Sequence, residues 1–188
     1  MAHWVFRYRG ALAYLSVVFA LFWVRGQTQA PWLTWPLGCA VLTAGVAVRV
    51  AAQSHLHHRL KMQLELTTSG PYGLVRNPLY IGNTLICTSA AVLGKLLWLA
   101  PLAFLWCVVV YAVVVRSEEE RLLNLYGEPY HRYLAEVPRW LPRGRTVSGN
   151  LFARPYVGKA ILAELHSFLI VPLFLLKDLL HSLLHRWL

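Results

Sequence analysis

Two short polar runs in this chain carry residue types that could do chemistry. The first, residues 67–82, reads Thr-Thr-Ser-Gly-Pro-Tyr-Gly-Leu-Val-Arg-Asn-Pro-Leu-Tyr-Ile-Gly. Ser69-Gly70-Pro71 reads as a turn, because Gly permits positive φ and Pro fixes the φ that follows. Asn77-Pro78 reads as a helix start, since Asn is a good N-cap and Pro is tolerated at the first helical position. The apolar helix beyond it then opens with backbone N–H groups aimed at a polar loop, a place where an anionic group can bind. The second run begins at Arg116-Ser117-Glu118-Glu119 and ends at Val137-Pro138-Arg139. Its adjacent carboxylates can accept from an ammonium or a hydroxyl, and Arg139 can hold a substrate anion or anchor on lipid phosphate. Plainer accounts stand beside these: a helix cap at 77–78, a solvated helix end at 118–119, and an interfacial aromatic belt for Tyr72, Tyr80, Tyr126, Tyr130 and Tyr133.

The intervening elements bring the two runs together. Residues 79–94 and 96–115 are apolar spans separated by Lys95. The first is near the ~17 residues needed to cross a bilayer and the second meets the usual ~20. The short Gly94-Lys95 connection makes them an antiparallel hairpin, so Arg76-Asn77 returns beside Arg116–Glu119. Beyond Glu119 the helix is expected to continue until Gly127, with Pro129 opening a short successor. Upstream, residues 10–24 form a first uncharged helix, preceded by Arg7 and Arg9. A signal peptide with a cleavage site near Thr28-Gln29-Ala30 is the competing reading, which retention of Met1 disfavours. Residues 26–48 form a second helix beginning near Thr34-Trp35-Pro36, with Ala40/Ala44 and Ala47/Ala51 spaced for close helix approach. Residues 49–76 read as the first aqueous segment.

Composition narrows the class. The 188 residues are mostly apolar, with a mean hydropathy of +0.49, which suits a membrane bundle of one domain. Lys and Arg outnumber Asp and Glu by 18 to 8. Because those basic residues flank apolar segments, they point to lipid headgroups rather than nucleic acid. Cys39, Cys87 and Cys107 sit in apolar runs without CxxC spacing and read as small buried hydrophobes. No Cys or carboxylate completes a metal-ligand set with His55, His57 and His58, so no metal is expected. His181 and His185, one helical turn apart, read as a wet helix face.

Gly70-Pro71-Tyr72 followed by Arg76-Asn77-Pro78-Leu79-Tyr80-Ile81-Gly82 resembles the G-x-Y…R-H-P-x-Y-x-G signature of the isoprenylcysteine carboxyl methyltransferases and related phospholipid methyltransferases. Glu118-Glu119, Leu122, Tyr126-Gly127, Tyr130, Tyr133 and Val137-Pro138-Arg139 are similar to that family's E-E-x-x-L…[FY]-G-x-x-Y-x-x-Y…V-P-R block. The resemblance implies an integral membrane enzyme using S-adenosyl-L-methionine. It implies cofactor contacts from Tyr72, Arg76, Asn77, Pro78, Tyr80, Glu118 and Glu119, with the segment Leu64, Glu65 and Leu66 meeting the adenine. Arg76, Glu119 and Arg139 are its expected catalytic residues. Two departures matter: Asn77 replaces the family's common His, and a His frequent six residues before the turn glycine is Leu64 here. Asn donates through its amide but cannot act as a cation or general base.

The expected fold is therefore all-α, a polytopic transmembrane helical bundle of four crossings with a cytoplasm-facing cofactor pocket. Residues 1–145 form the methyltransferase core, and residues 146–188 an amphipathic or membrane-associated helical extension. The uninterrupted apolar part of that extension, residues 168–176, is short, which favours an interfacial or bundle-packed helix over a fifth crossing. Counting Lys and Arg in short loops places both motifs on the cytoplasmic side of the membrane, the inner membrane in a bacterium. The expected acceptor is a lipid amine, a lipidated carboxylate or a small lipophilic molecule, entering from the bilayer past Leu79 and Leu85. Alternatives are a membrane lipid or sterol reductase using NADPH and a non-catalytic membrane scaffold. The sequence sets no oligomeric state.

Overall fold

A computed structural model describes residues 2–61, 66–143 and 150–187, and these are helical or loop throughout, with no strand among them. Five long elements carry the architecture: α1 (Ala2–Phe22), α2 (Pro31–Lys61), α4 (Pro78–Leu93), α5 (Leu99–Tyr126) and a C-terminal stretch made of α7 (Val157–Glu164), a 3-10 turn (Leu165–Leu169) and α8 (Ile170–Trp187). Two short helices, α3 (Pro71–Leu74) and α6 (Glu128–Glu136), lie in the motif regions. The expected boundary between residues 145 and 146 lies outside the described residues.

α2 corrects the expectation of an aqueous segment from residue 49. It runs on to Lys61, because no Gly or Pro interrupts the sequence between Gly45 and Gly70. Its close-approach face is also not the alanine one. Ala40, Ala44 and Ala47 point outward, whereas Gly38 and Gly45, seven residues apart and so on one face, meet α4. A Cβ at Gly45 would lie 2.9 Å from the Gly82 carbonyl, and one at Gly38 would lie 2.7 Å from Leu93. The motif glycine Gly82 answers from α4: a Cβ there would meet Arg49 Cγ at 2.5 Å and the Gly45 carbonyl at 2.8 Å. α1 packs against both α4 and α5, closing a core of Leu42, Val46, Ile86, Ala90 and Leu93 that continues to Cys87, Cys107 and Val110.

The α4–α5 hairpin forms as expected, and its left-handed residue is Lys95 (φ 61°). Gly94 is required for space, since a Cβ would press on Phe174 and on the Ala90 and Ala20 carbonyls. Lys95 pairs with Asp178 at 2.6 Å. The neighbouring Lys177 donates to the carbonyls of Ala20 and Trp23 at 2.6 and 2.7 Å, capping the otherwise unsatisfied C-terminal end of α1.

The tail therefore runs from Glu164, at the level of Arg49 on α2, to Lys177 at the far end of α1, thirteen residues or about 20 Å of helix. Residues Val157–Leu183 form one of three helical stretches long and apolar enough to cross a membrane; the others are Pro31–Leu56 and Leu99–Tyr126, with Pro78–Leu93 a shorter apolar helix. The length objection to a crossing tail thus falls away, because the 3-10 turn joins α7 and α8 into one rod. Many large apolar side chains remain outside the core, including Leu102, Leu105 and Val109 on α5 and Leu173, Leu176 and Leu180 on α8. Such a band fits acyl chains as its solvent.

Candidate active site

The two motif runs are sewn together at one end of the bundle. Gly70, at φ 57°, is the residue before α3 and opens it with Pro71 at the first helical position. α3 returns the chain through Val75 to Arg76, whose backbone N–H donates to the Pro138 carbonyl at 2.9 Å. Tyr133 Oη donates to the Tyr72 carbonyl at 2.8 Å, and Asn77 Nδ2 donates to the Arg139 carbonyl at 3.3 Å. Tyr130 and Tyr133 are buried with Val137, so they belong to the packing of the site rather than to an exposed aromatic belt. Their burial has an electrostatic consequence: desolvation first, and then the Glu119 carboxylate, push the Tyr130 phenol up to about 12.

Glu119 is the hub. Its Oε1 accepts from Arg76 Nη1 at 2.9 Å and from Arg139 Nε at 3.1 Å, while Oε2 accepts from Arg139 Nη2 at 2.5 Å. Hydrogen bonding to Glu119 holds the proton of the Arg139 guanidinium more firmly than usual. One carboxylate thus serves two guanidiniums and leaves a positive charge over. Arg76 Nε is buried and has no hydrogen-bond partner among the described residues, and neither has the hydroxyl of Thr67. Asn77 occupies the position before α4, but its side chain does not cap the helix. It turns to Arg139 instead, which corrects the cap reading and leaves the first-turn amides of α4 without a side-chain acceptor.

These groups border a cavity of about 480 Å³, within the range of about 300–1,000 Å³ usual for small-molecule sites. Of the residues singled out from sequence, Leu66, Tyr72, Arg76, Asn77, Pro78, Tyr80, Glu118 and Glu119 all line it. Arg139 does not, and reaches the cavity only through Glu119. Leu64 and Glu65 lie outside the described residues. Tyr80 points its hydroxyl toward Glu118 and Arg9, and its ring stacks on that of Tyr111 at 4.5 Å and 25°.

Sequence reasoning missed Arg9, Arg49, Gln53 and Asn83, which also line the cavity. Arg49 offered a signal, since an ionisable residue inside an otherwise apolar helix marks a functional place by default. It is held by Glu164 of the tail: Arg49 Nε and Nη2 each donate to a Glu164 oxygen at 2.7 Å, Gln53 donates to Glu164 as well, and Ser167 Oγ does so at 3.1 Å. Arg49 Nη1 donates to Asn83 Oδ1. His55, expected at headgroup depth, ties loops together; its ring contacts the Asn150 carbonyl and Ser69 and packs under Gly70. Among the described residues no group of three or more His, Cys, Asp or Glu side chains could hold a metal ion.

A second cavity, about 350 Å³, lies on the other side of the tyrosine stack, between α4, α5 and the segment after Arg139. It is lined by Ile81, Thr84, Leu85, Phe104, Val108, Tyr111, Trp140 and Leu141. Apart from the Thr84 and Tyr111 hydroxyls and the indole of Trp140, these side chains are apolar.

The family model for phospholipid methyltransferases matches residues 36–129, from the second turn of α2 to the start of α6. The chain is 29% identical over 132 residues to the nickel-cobalt-cadmium resistance protein NccN of Alcaligenes xylosoxydans xylosoxydans, covering 68% of this chain and 60% of that protein. It is 32% identical over 78 residues to the cobalt-zinc-cadmium resistance protein CzcN of Cupriavidus metallidurans, covering 42% of this chain and 36% of that one. The chain thus spans less than two thirds of the length of both relatives. No solved structure matches it.

Proposed function

Since the chain belongs to the phospholipid methyltransferase family, we propose that it is an integral membrane methyltransferase that uses S-adenosylmethionine to methylate a lipidic acceptor. The observation that carries this reading is the donor set of the larger cavity. A surplus guanidinium charge around Glu119, an orphaned Arg76 Nε, an orphaned Thr67 hydroxyl and an uncapped helix N-terminus all belong to residues that border one space. Such a set fits a ligand bearing a carboxylate and ribose hydroxyls. Arg76 and the first turn of α4 would hold the carboxylate. Glu118 would take the ammonium, because both oxygens of Glu119 are engaged by arginines. The rings of Tyr72, Tyr126 and Tyr130 suit a sulfonium, by the attraction of a cation to an aromatic face.

When bound, the cofactor supplies an electrophilic methyl carbon on a sulfonium. The chain's own part is positioning and exclusion of water, since displacement at such a carbon asks for little acid or base. Tyr80, Tyr130 and Tyr133 wall the cavity, and Glu119 keeps Arg76 aimed into it. The acceptor enters from the bilayer through the smaller cavity, whose apolar lining and place beside the exposed face of α5 suit an acyl or prenyl chain. This places Leu85 in the path and Leu79 on the cofactor side. The motif end of the bundle faces the cytoplasm, following the excess of Lys and Arg there. We read the tail as a further crossing, a reading supported by its length and by ties at its two ends to Arg49 and to the C-terminal end of α1.

The relatives' names concern metal resistance, but the arrangement of groups favours methyl transfer over metal binding. S-adenosylhomocysteine at millimolar concentration should raise the melting temperature of the detergent-purified protein, as any ligand of the folded state does. A shift with NADPH and none with S-adenosylhomocysteine would overturn this in favour of a reductase. A shift with neither would favour a scaffold.

A further inference from the structure

Tyr111 is the largest fully buried side chain among the described residues, 1% exposed, and its hydroxyl has no part in the proposed cofactor site. Its hydroxyl is buried beside the Asn83 amide, and its proton finds no acceptor among the described residues. An unpaired phenol in a dry helix interface costs free energy that Phe would not, so its presence calls for a partner that arrives. The ring stands where the two cavities meet: it lines the apolar one and stacks on Tyr80, which lines the polar one. Of the other polar groups beside it, Thr84 Oγ1 is spent on the Tyr80 carbonyl at 2.8 Å. Asn83, whose side chain neighbours the Tyr111 hydroxyl, lines the polar cavity.

The orientation of Asn83 is fixed from a distance. Its Oδ1 accepts from Arg49 Nη1, so its NH₂ is the end left to face the junction. Arg49 cannot swing away, because Glu164 grips it with two parallel bonds and is itself held by Gln53 and Ser167. Gly82 supplies the gap through which the Arg49 stem passes.

We propose that the Tyr111 hydroxyl and the Asn83 amide form the head-group site for the lipidic acceptor, and that Glu164 of the C-terminal tail is a positioning residue acting through Arg49 and Asn83. Two hydrogen-bond donors where the apolar groove abuts the polar cavity select a head with accepting oxygens, such as a carboxylate, and disfavour an alkylammonium, which has no lone pair to offer. The tail, outside the family match, becomes part of the acceptor site. This rests on the methyltransferase reading for the acceptor's role, while the groove and its donors are testable by binding alone.

The test uses the 188-residue chain in detergent with oleate and oleylamine as probes, and S-adenosylhomocysteine as a separate ligand. Oleate should stabilise the wild-type protein and oleylamine should not. Tyr111→Phe, which deletes one oxygen and keeps the ring, should bind oleate at least tenfold more weakly while its S-adenosylhomocysteine affinity stays unchanged. The double variant Arg49→Met/Glu164→Leu keeps the tail packed by apolar contact but frees Asn83, and it should lose oleate affinity although Tyr111 is intact. Oleate binding by Tyr111→Phe at the wild-type level, or equal binding of oleylamine, would overturn the head-group site. Wild-type oleate affinity in the double variant would overturn the role of Glu164. Failure of S-adenosylhomocysteine to bind the wild type, with oleate discrimination intact, would instead fault the cofactor assignment.

Discussion

The molecule contains two carboxylate–arginine clusters built from the same chemistry for different ends. At the rim, Glu119 faces Arg76 and Arg139, with side-chain exposures of 13%, 14% and 37%. Inside the bundle, Glu164 faces Arg49 at 1% and 15%. The buried cluster is balanced and saturated: one charge meets one charge, and the carboxylate accepts four hydrogen bonds. The rim cluster is unbalanced, with two guanidiniums on one carboxylate and a buried Nε left over. Balance is what a holding device needs, since an uncompensated charge in a dry interior is heavily penalised. Surplus is what a binding device needs, since a group already satisfied has nothing to offer a ligand. Exposure alone would have ranked the two clusters the other way, taking the buried pair for the site.

The largest way to break this comparison is Arg49→Met. It strands the Glu164 carboxylate in the bundle, and a loss of about 3–5 kcal/mol of stability is expected, read as a large fall in melting temperature. Adding Glu164→Leu should restore most of it, because an apolar pair of similar volume replaces a buried ion pair at little cost. A double variant as unstable as the single one would show that the cluster does more than hold.

Glu119→Gln should cost less stability than Arg49→Met, because Arg139 can turn to solvent, but it should weaken S-adenosylhomocysteine. Loss of a charge-assisted bond network costs about 1.5–3 kcal/mol, a tenfold or greater change in Kd, measurable by calorimetric titration. Asn77→Ala should follow in the same direction and more weakly, since its amide bond to Arg139 is long at 3.3 Å.

Gly82→Ala sharpens the link between motif and buried pair. The added methyl meets the Gly45 carbonyl and the Arg49 stem, and overpacking of this kind costs about 1–3 kcal/mol. Thermal denaturation should show the loss, and Gly45→Ala should not rescue it.

The smallest effect concerns pH. Burial and the Glu119 charge raise the folded-state value of Tyr130 from 10 to about 12. Between those values the unfolded chain has lost the phenolic proton and the folded chain keeps it, so stability falls as pH rises through that window. Tyr130→Phe should flatten the decline in melting temperature from pH 10 to 12 and leave it unchanged near pH 7. Parallel slopes for the two proteins would show that neither burial nor the Glu119 charge raises Tyr130 in the folded state.

Much of this was legible from residue order alone. Local chemistry determined the turn at Gly70-Pro71, the helix starting at Pro78, the hairpin at residues 94–95 and the break at Gly127, because each depends on backbone preferences of a few adjacent residues. The convergence of Arg76 with Glu119 followed from span lengths, since two antiparallel helices must return the chain to the side it left, whereas the return of Arg139 to Glu119 came only with the structure. Only the tertiary structure decided which face of α2 is buried. Ala40, Ala44 and Ala47 had the spacing, but Gly38 and Gly45 had the partner, and a helix that is apolar all round carries no periodic signal to choose between its faces. The partner of Arg49 was equally hidden, because Glu164 stands 115 residues away in a segment whose scattered charges looked like an interruption. A charge within an apolar run reads as a defect until the structure supplies the opposite charge that removes its desolvation penalty.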